Sequence, residues 1–97
     1  MSALDKVIRD VRRERGRQQL LKAEGKIKLD CADPKTPLEK SFLVLTEEFA
    51  ESAIECNKIV ESGRLRYGAL YTELVQTAAV CVAMCEALQA DQLRGQS

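Results

Sequence analysis

No histidine and no tryptophan occur among the 97 residues, and the aromatics are two tyrosines and two phenylalanines. Without histidine there is no Ser-His-Asp arrangement and no imidazole for a metal ion. Four cysteines are present, Cys31, Cys56, Cys81 and Cys85, with no Cys-x-x-Cys spacing. A zinc centre would have to be built from these scattered thiols alone, which disfavours it. Cys81 and Cys85, four apart among apolar neighbours, read instead as small buried hydrophobes. The five glycines are scattered, so there is no P-loop and no Gly-rich phosphate cradle. The N-terminal segment is charged and lacks an apolar h-region. The longest charge-free run, Leu74–Cys85, is short for a bilayer. These absences predict a reduced, soluble, cytoplasmic protein that does not engage a membrane. Internal repeats and low-complexity tracts are missing. The alternating Lys26–Leu29 segment is too short to make a sheet.

What is present is helical. Ser2 with Asp5 three residues later marks a helix start. Good helix formers follow to about Ala23, with Leu4, Val7, Ile8 and Val11 forming one apolar stripe. Gly25 is the predicted stop. Lys26–Lys35 is a connector, with a turn at Asp33-Pro34. Thr36-Pro37-Leu38-Glu39 reads as a capping box with proline at the first helical position. The second helix then runs to about Ser62, closed by Gly63. Its main apolar stripe is Leu38, Phe42, Leu45, Phe49, Ala53, Cys56 and Val60. The third helix begins near Arg64–Arg66 and reaches about Asp91. It is apolar nearly all round from Ala69 to Leu88, the mark of a central helix. A chain this short covers such a helix on all sides only with a second subunit. The fold class expected is all-α: one domain over 1–97, a bundle of three main helices completed by homo-oligomerisation. Residues 1–13 and 92–97 are peripheral, and Leu93–Ser97 is a frayed tail.

Charge is zero overall but unevenly spread. Residues 1–28 carry nine Lys/Arg and four Asp/Glu, a net of +5, whereas residues 39–62 carry six Glu and two Lys, a net of −4. The basic first helix has no interleaved aromatics, and Tyr67 and Tyr71 lie elsewhere, so nucleic-acid recognition by stacking is not expected. The acidic stretch holds Glu48 and Glu51 three residues apart, and the third helix holds Glu73 and Gln76 at the same spacing. Each pair shares one helix face. At 100° per residue, Glu48, Glu51 and Glu55 share a stripe with Val44 and Ile59, and Glu47 points roughly a quarter-turn away. Crowded carboxylates beside apolar surface repel one another, and Lys58 is the nearby base on that face. Oxygen ligands from facing helices of a bundle suit Mg²⁺ or Mn²⁺. Such an ion brings a phosphorylated substrate into reach, with basic side chains of the first helix on its phosphates. Spacing alone equally fits solvated glutamates and one buried amide.

Several segments together resemble a known family. Glu39-Lys40, Leu45-Thr-Glu-Glu-Phe-Ala-Glu51 and Glu73-Leu-Val-Gln-Thr-Ala-Ala-Val80 are similar to the motifs of the MazG-like all-α nucleoside triphosphate pyrophosphohydrolases. Glu14-Arg-Gly-Arg-Gln18 and the Asp30-Cys-Ala-Asp33 turn add to the resemblance, which covers roughly residues 14–88. It implies cleavage between the α- and β-phosphates of a (deoxy)nucleoside triphosphate, yielding monophosphate and pyrophosphate. It also implies Mg²⁺ on the acidic residues of both motifs and a homodimer or homotetramer. Carried over, Glu48 and Glu51 match the first motif and Glu73 the second. Gln76 stands where aspartate is usual; its amide oxygen can ligate but brings no charge. Ala50 stands where glycine is common. The C-terminal Lys/Arg segment that many members place on the phosphates is missing, leaving Arg15, Gln18 and Lys40 as the substrate-contact candidates. Glu47 and Glu51 are the candidates for the general base. The alternative functional reading is a non-catalytic nucleotide-binding or structural oligomerisation module.

Overall fold

The structure, a computed structural model, describes residues 1–27, 29–64 and 66–95, with side chains through Asp91. Expectations touching Lys28, Leu65, Gln96 and Ser97 lie outside the described residues. Three helices make up the fold: α1 (Ala3–Ala23), α2 (Leu38–Ser62) and α3 (Gly68–Gly95), with no strand among the described residues.

The start of α1 is the predicted one. The Ser2 hydroxyl accepts from the Asp5 amide at 3.1 Å, and the Asp5 carboxylate accepts from the Ser2 amide at 3.3 Å. Two of the helix's orphan donors are thereby satisfied. Gly25 follows the helix with φ of 70°, a left-handed conformation that costs a residue without a Cβ little. Gly63 closes α2 in the same way, its amide donating to Ile59 O at 2.9 Å.

The start of α2 departs from expectation. Thr36 does not cap it; Pro37 holds the N-cap position and no side chain caps the helix. The Thr36 hydroxyl turns back instead and donates to Asp30 O at 2.7 Å. The connector has claimed it. Asp30 and Asp33 each accept from a backbone amide two residues on, at Ala32 and Lys35, and the Asp33 amide donates to Asp30 O. These short-range bonds fold 30–36 into a closed loop. The third helix also differs. It begins at Gly68, later than Arg64–Arg66, and continues to Gly95, so residues 93–95 are helix and not a frayed tail.

α3 is the hub: it packs against both α1 and α2, which make no backbone-level contact with each other. α2 and α3 run antiparallel, with Ser41 near Met84 at one end and Ile59 near Ala69 at the other. The core is small, comprising Ala79, Val80, Ala83 and Met84 of α3. Opposite them α2 offers Ser41 and Ser52, both buried. Thus the face of α2 turned toward α3 is the stripe of Glu48, Ser52, Glu55 and Ile59. The longer apolar stripe points away: Leu38, Phe42, Phe49 and Val60 are 52%, 52%, 66% and 75% exposed. Cys81 and Cys85 are exposed too, a correction to their reading as buried hydrophobes. They lie on the side of α3 that neither α1 nor α2 covers. The radius of gyration, 15.3 Å, exceeds the ~12.5 Å typical of a compact chain of this length. Gly68–Asp91 is also apolar and long enough, by length and composition alone, to cross a membrane.

Candidate metal centre

Glu48 from the middle of α2, Glu51 one turn later and Glu73 from the first half of α3 meet across the antiparallel pair. A carboxylate oxygen from each lies within 4.8 Å of the others. Glu48 and Glu73 are half-buried and Glu51 is exposed. One oxygen of Glu48 and one of Glu73, Oε2 in both, is sealed from solvent without a hydrogen-bond partner. A buried carboxylate oxygen left unpaired is costly. Both groups respond as such groups do. Burial pushes the Glu48 carboxyl above the usual range, and the charges of Glu51, Glu73 and Glu14 add to this while Arg17 opposes it. Glu73 is raised first by burial, then by a hydrogen bond shared with Glu51 and by the charges of Glu51 and Glu55.

Two hydroxyls hold this geometry, and neither stands out in the sequence. Ser52, four residues after Glu48, donates back to Glu48 O at 3.1 Å. Thr77, four residues after Glu73, donates back to Glu73 O at 2.8 Å. The two hydroxyl oxygens are 3.2 Å apart across the helix pair, and since each has one proton, the one that donates across does so in place of its back-bond. Because the helices are antiparallel, the clasp lies between Glu48 and Glu73 along the axis, where it fixes the spacing of α2 and α3. Its sequence signal is a small hydroxyl residue four after each glutamate, and its meaning requires knowing which helices face each other.

α1 closes the site from a third side. A cavity of about 200 Å³ lies where the three helices and the connector meet. Its polar wall includes Glu48, Gln76, Glu14, Arg17, Gln18 and Asp30. Gln76 and Gln18 are thus brought beside Glu48, Gln18 accepting from Arg15 at 2.9 Å and donating to Glu14 at 3.4 Å. Glu14 and Arg17, part of the Glu14–Gln18 segment but not named as site candidates on their own, enter the site here. Arg17 forms a two-point fork on Glu14, at 2.8 and 2.7 Å, and its charge acts on Glu48.

Other expected site residues are not brought to the carboxylates. Arg15 is buried, 8% exposed. Its guanidinium is engaged on the other side of α1, donating to both oxygens of Glu86 at 3.0 and 2.6 Å. Lys40 is exposed in the first turn of α2, eight residues before Glu48 and hence about 12 Å away along the axis. Glu47 is exposed and outside the carboxylate group. Glu55 pairs with Lys58 at 3.0 Å.

Whether the three carboxylates fit a divalent cation can be judged from the donors. They are hard oxygens from two rigid helices, two of them carry sealed oxygens lacking a donor, and their mutual repulsion is relieved by positive charge. That donor set suits Mg²⁺ or Mn²⁺. Comparison of the chain with protein-family models, with curated proteins and with solved structures returned no match.

Proposed function

We propose that the chain is a Mg²⁺-dependent nucleoside triphosphate pyrophosphohydrolase of the MazG-like kind, releasing nucleoside monophosphate and pyrophosphate. The observation that carries this reading is the convergence of Glu48, Glu51 and Glu73, with sealed, unpartnered oxygens on Glu48 and Glu73. In this reading the three glutamates hold the cation, Mg²⁺ or alternatively Mn²⁺, and Gln76 adds a neutral amide oxygen from the same cavity wall as Glu48. The bound cation supplies charge neutralisation and polarisation of the phosphate chain. Glu14, Arg17 and Gln18 close the substrate side. Of the two general-base candidates, Glu51 is in the cluster and open to solvent, whereas Glu47 lies outside it.

The same reading makes the working unit a homo-oligomer. Phe42, Phe49 and Val60 on α2 and Leu74, Val82 and Leu88 on α3 are all exposed in the single chain, and covering what each leaves open is worth about 1–2 kcal/mol. α3 is then the central helix of an assembled bundle in the cytoplasm. The length and composition that suit a membrane span are shared by core helices of soluble proteins. Here the helix carries Glu73 in the carboxylate group and Glu86 paired to Arg15, an arrangement suited to a packed helical interface.

Purified protein with Mg²⁺ and a panel of nucleoside triphosphates should release pyrophosphate and the matching monophosphate. Glu48→Ala and Glu73→Ala should abolish release while the protein keeps its helical spectrum. Release at the wild-type rate from either variant would sink the site assignment.

A further inference from the structure

Beside the carboxylate cavity lies a second, open groove of about 450 Å³ between α1 and the start of α3. The two share Glu14, Arg17 and Gln76 as walls, so the groove adjoins the cavity along those side chains. The cavity side is acidic, at Glu48. The groove side brings in Arg13, Tyr71 and Asp10. Asp10 is already neutralised: Lys6 sits 2.8 Å from it and the Tyr71 hydroxyl donates to it at 2.6 Å. Arg13 and Arg17 are four residues apart on α1, hence on one face and about 6 Å apart along the axis. Arg13 is exposed. Arg17 presents its Nε and one terminal nitrogen to Glu14. A guanidinium has five N–H donors, so the fork leaves others free while holding the plane in place. A side chain already ordered loses less entropy when it meets a ligand.

Carboxylates in the cavity beside the ordered Arg17 guanidinium and the exposed Arg13 of the groove suit a ligand that carries a divalent cation and several negative charges together. We propose that Arg13 and Arg17 form the anion-binding arm of the site and take the terminal phosphates of a metal-bound polyphosphate. This deepens the nucleotide reading and rests on it for the identity of the substrate. It narrows the basic first-helix side chains expected on the phosphates to Arg13 and Arg17 in the outer groove of α1, in place of Arg15 and Lys40. Glu14 is a positioning residue: it aims Arg17 without touching the ligand.

The test uses inorganic tripolyphosphate with Mg²⁺ and the full chain, with binding read by titration calorimetry. Arg13→Gln and Arg17→Gln should each weaken binding roughly tenfold or more, the scale of a lost charge-assisted hydrogen bond. Arg9→Gln removes the same charge from α1 at an exposed position outside the groove. It should change affinity less than about twofold, as expected of a screened surface charge. Mn²⁺ binding to Arg13→Gln and Arg9→Gln, followed without phosphate by paramagnetic resonance, should match wild type. Arg17→Lys keeps the charge but not the fork and should fall between wild type and Arg17→Gln. Equal binding by all variants, equal loss in Arg9→Gln, or no tripolyphosphate binding by wild type would each overturn the arm. Arginine-dependent binding in a protein that hydrolyses no nucleotide would leave the arm standing and remove the hydrolase reading.

Discussion

Replacing Glu48 by glutamine should make the metal-free protein more stable, although it alters a half-buried residue in the middle of a helix. The reasoning is electrostatic. Oxygens of Glu48, Glu51 and Glu73 come within 4.8 Å of one another. Two unit charges at that distance repel by about 3.5 kcal/mol at an effective dielectric near 20 and about 0.9 kcal/mol under water-like screening. Glu51 is exposed, so the lower end applies to its pair. Burial and the neighbouring charges raise the Glu48 and Glu73 carboxyls, so these take up protons more readily than free ones, which offsets part of the remainder. A net gain of about 1–2 kcal/mol on removing the Glu48 charge is the result, and an unpaired amide oxygen is less costly to bury than an unpaired carboxylate. For a domain of this size each kcal/mol moves the melting temperature by about 4–8 °C. Thermal unfolding followed by circular dichroism in chelator would show the shift, at one fixed protein concentration because assembly makes melting concentration-dependent. Saturating Mg²⁺ should then invert the order. A ligand at a hundred times its dissociation constant adds ~2.7 kcal/mol to the protein that binds it, and Glu48→Gln should gain far less. If the variant melts below wild type in chelator, or Mg²⁺ shifts both equally, the cluster is not a strained cation site.

Four further outcomes follow from the same geometry. Glu48 and Glu73 hold their protons above the ordinary carboxyl value of 4.5, so the folded state binds more protons than the unfolded one between that value and their folded pKa values. Metal-free stability should therefore fall as pH rises from about 4.5 through that window, measured by denaturant unfolding at a series of pH values, and a rise across it would contradict the burial seen here. Gln76→Asp should tighten Mn²⁺ binding by supplying charge; unchanged affinity would remove Gln76 from the ligand set. Glu86→Gln leaves the buried Arg15 guanidinium without its fork and should destabilise the chain by about 1–3 kcal/mol, while Mg²⁺ and tripolyphosphate binding stay at wild-type levels. Phe49→Glu should shift sedimentation toward monomer with loss of nucleotide turnover, and an unchanged assembly would exclude that face from the interface.

Where local chemistry decides an element, the sequence was enough. The capping box at Ser2 and the left-handed glycines at 25 and 63 bound helices for reasons contained within a few residues. The approach of Glu73 to the Glu48/Glu51 pair was legible because helical spacing puts that pair on one face and a short connection makes antiparallel neighbours. What depends on competition between partners was not legible. Thr36 had two uses, a cap or a bond back to Asp30, and the closed loop took it. Arg15 and Arg17 are two residues apart and chemically identical, yet a 200° difference in direction sends one to Glu86 and the other to Glu48's cavity. No property of either residue alone foretells that division; it follows from which face α1 turns toward α3. The Ser52–Thr77 clasp was hidden for the same reason.

The two stripes of α2 tie the site to the assembly. In a self-contained domain the apolar stripe of a helix would turn inward and its glutamates outward. Here Glu48, Ser52 and Ile59 face α3, while Phe42, Phe49 and Val60 face away from it. The inward arrangement leaves carboxylate oxygens unpaired, and the outward one leaves apolar area wet, so the isolated metal-free chain carries both costs. Each is relieved by a different partner: the first by a cation, the second by another copy of the chain. Because both partners act on the same helix, the reliefs should be coupled. Docking of the apolar face fixes α2, and a fixed α2 holds Glu48 and Glu51 in register with Glu73. Mg²⁺ should accordingly strengthen self-association, and dilution to monomer should weaken Mg²⁺ binding by the same factor. Sedimentation with and without Mg²⁺ measures the first effect and Mn²⁺ titration across protein concentrations the second. Independence of the two would mean that α2 keeps its place against α3 through the Ser52–Thr77 clasp alone.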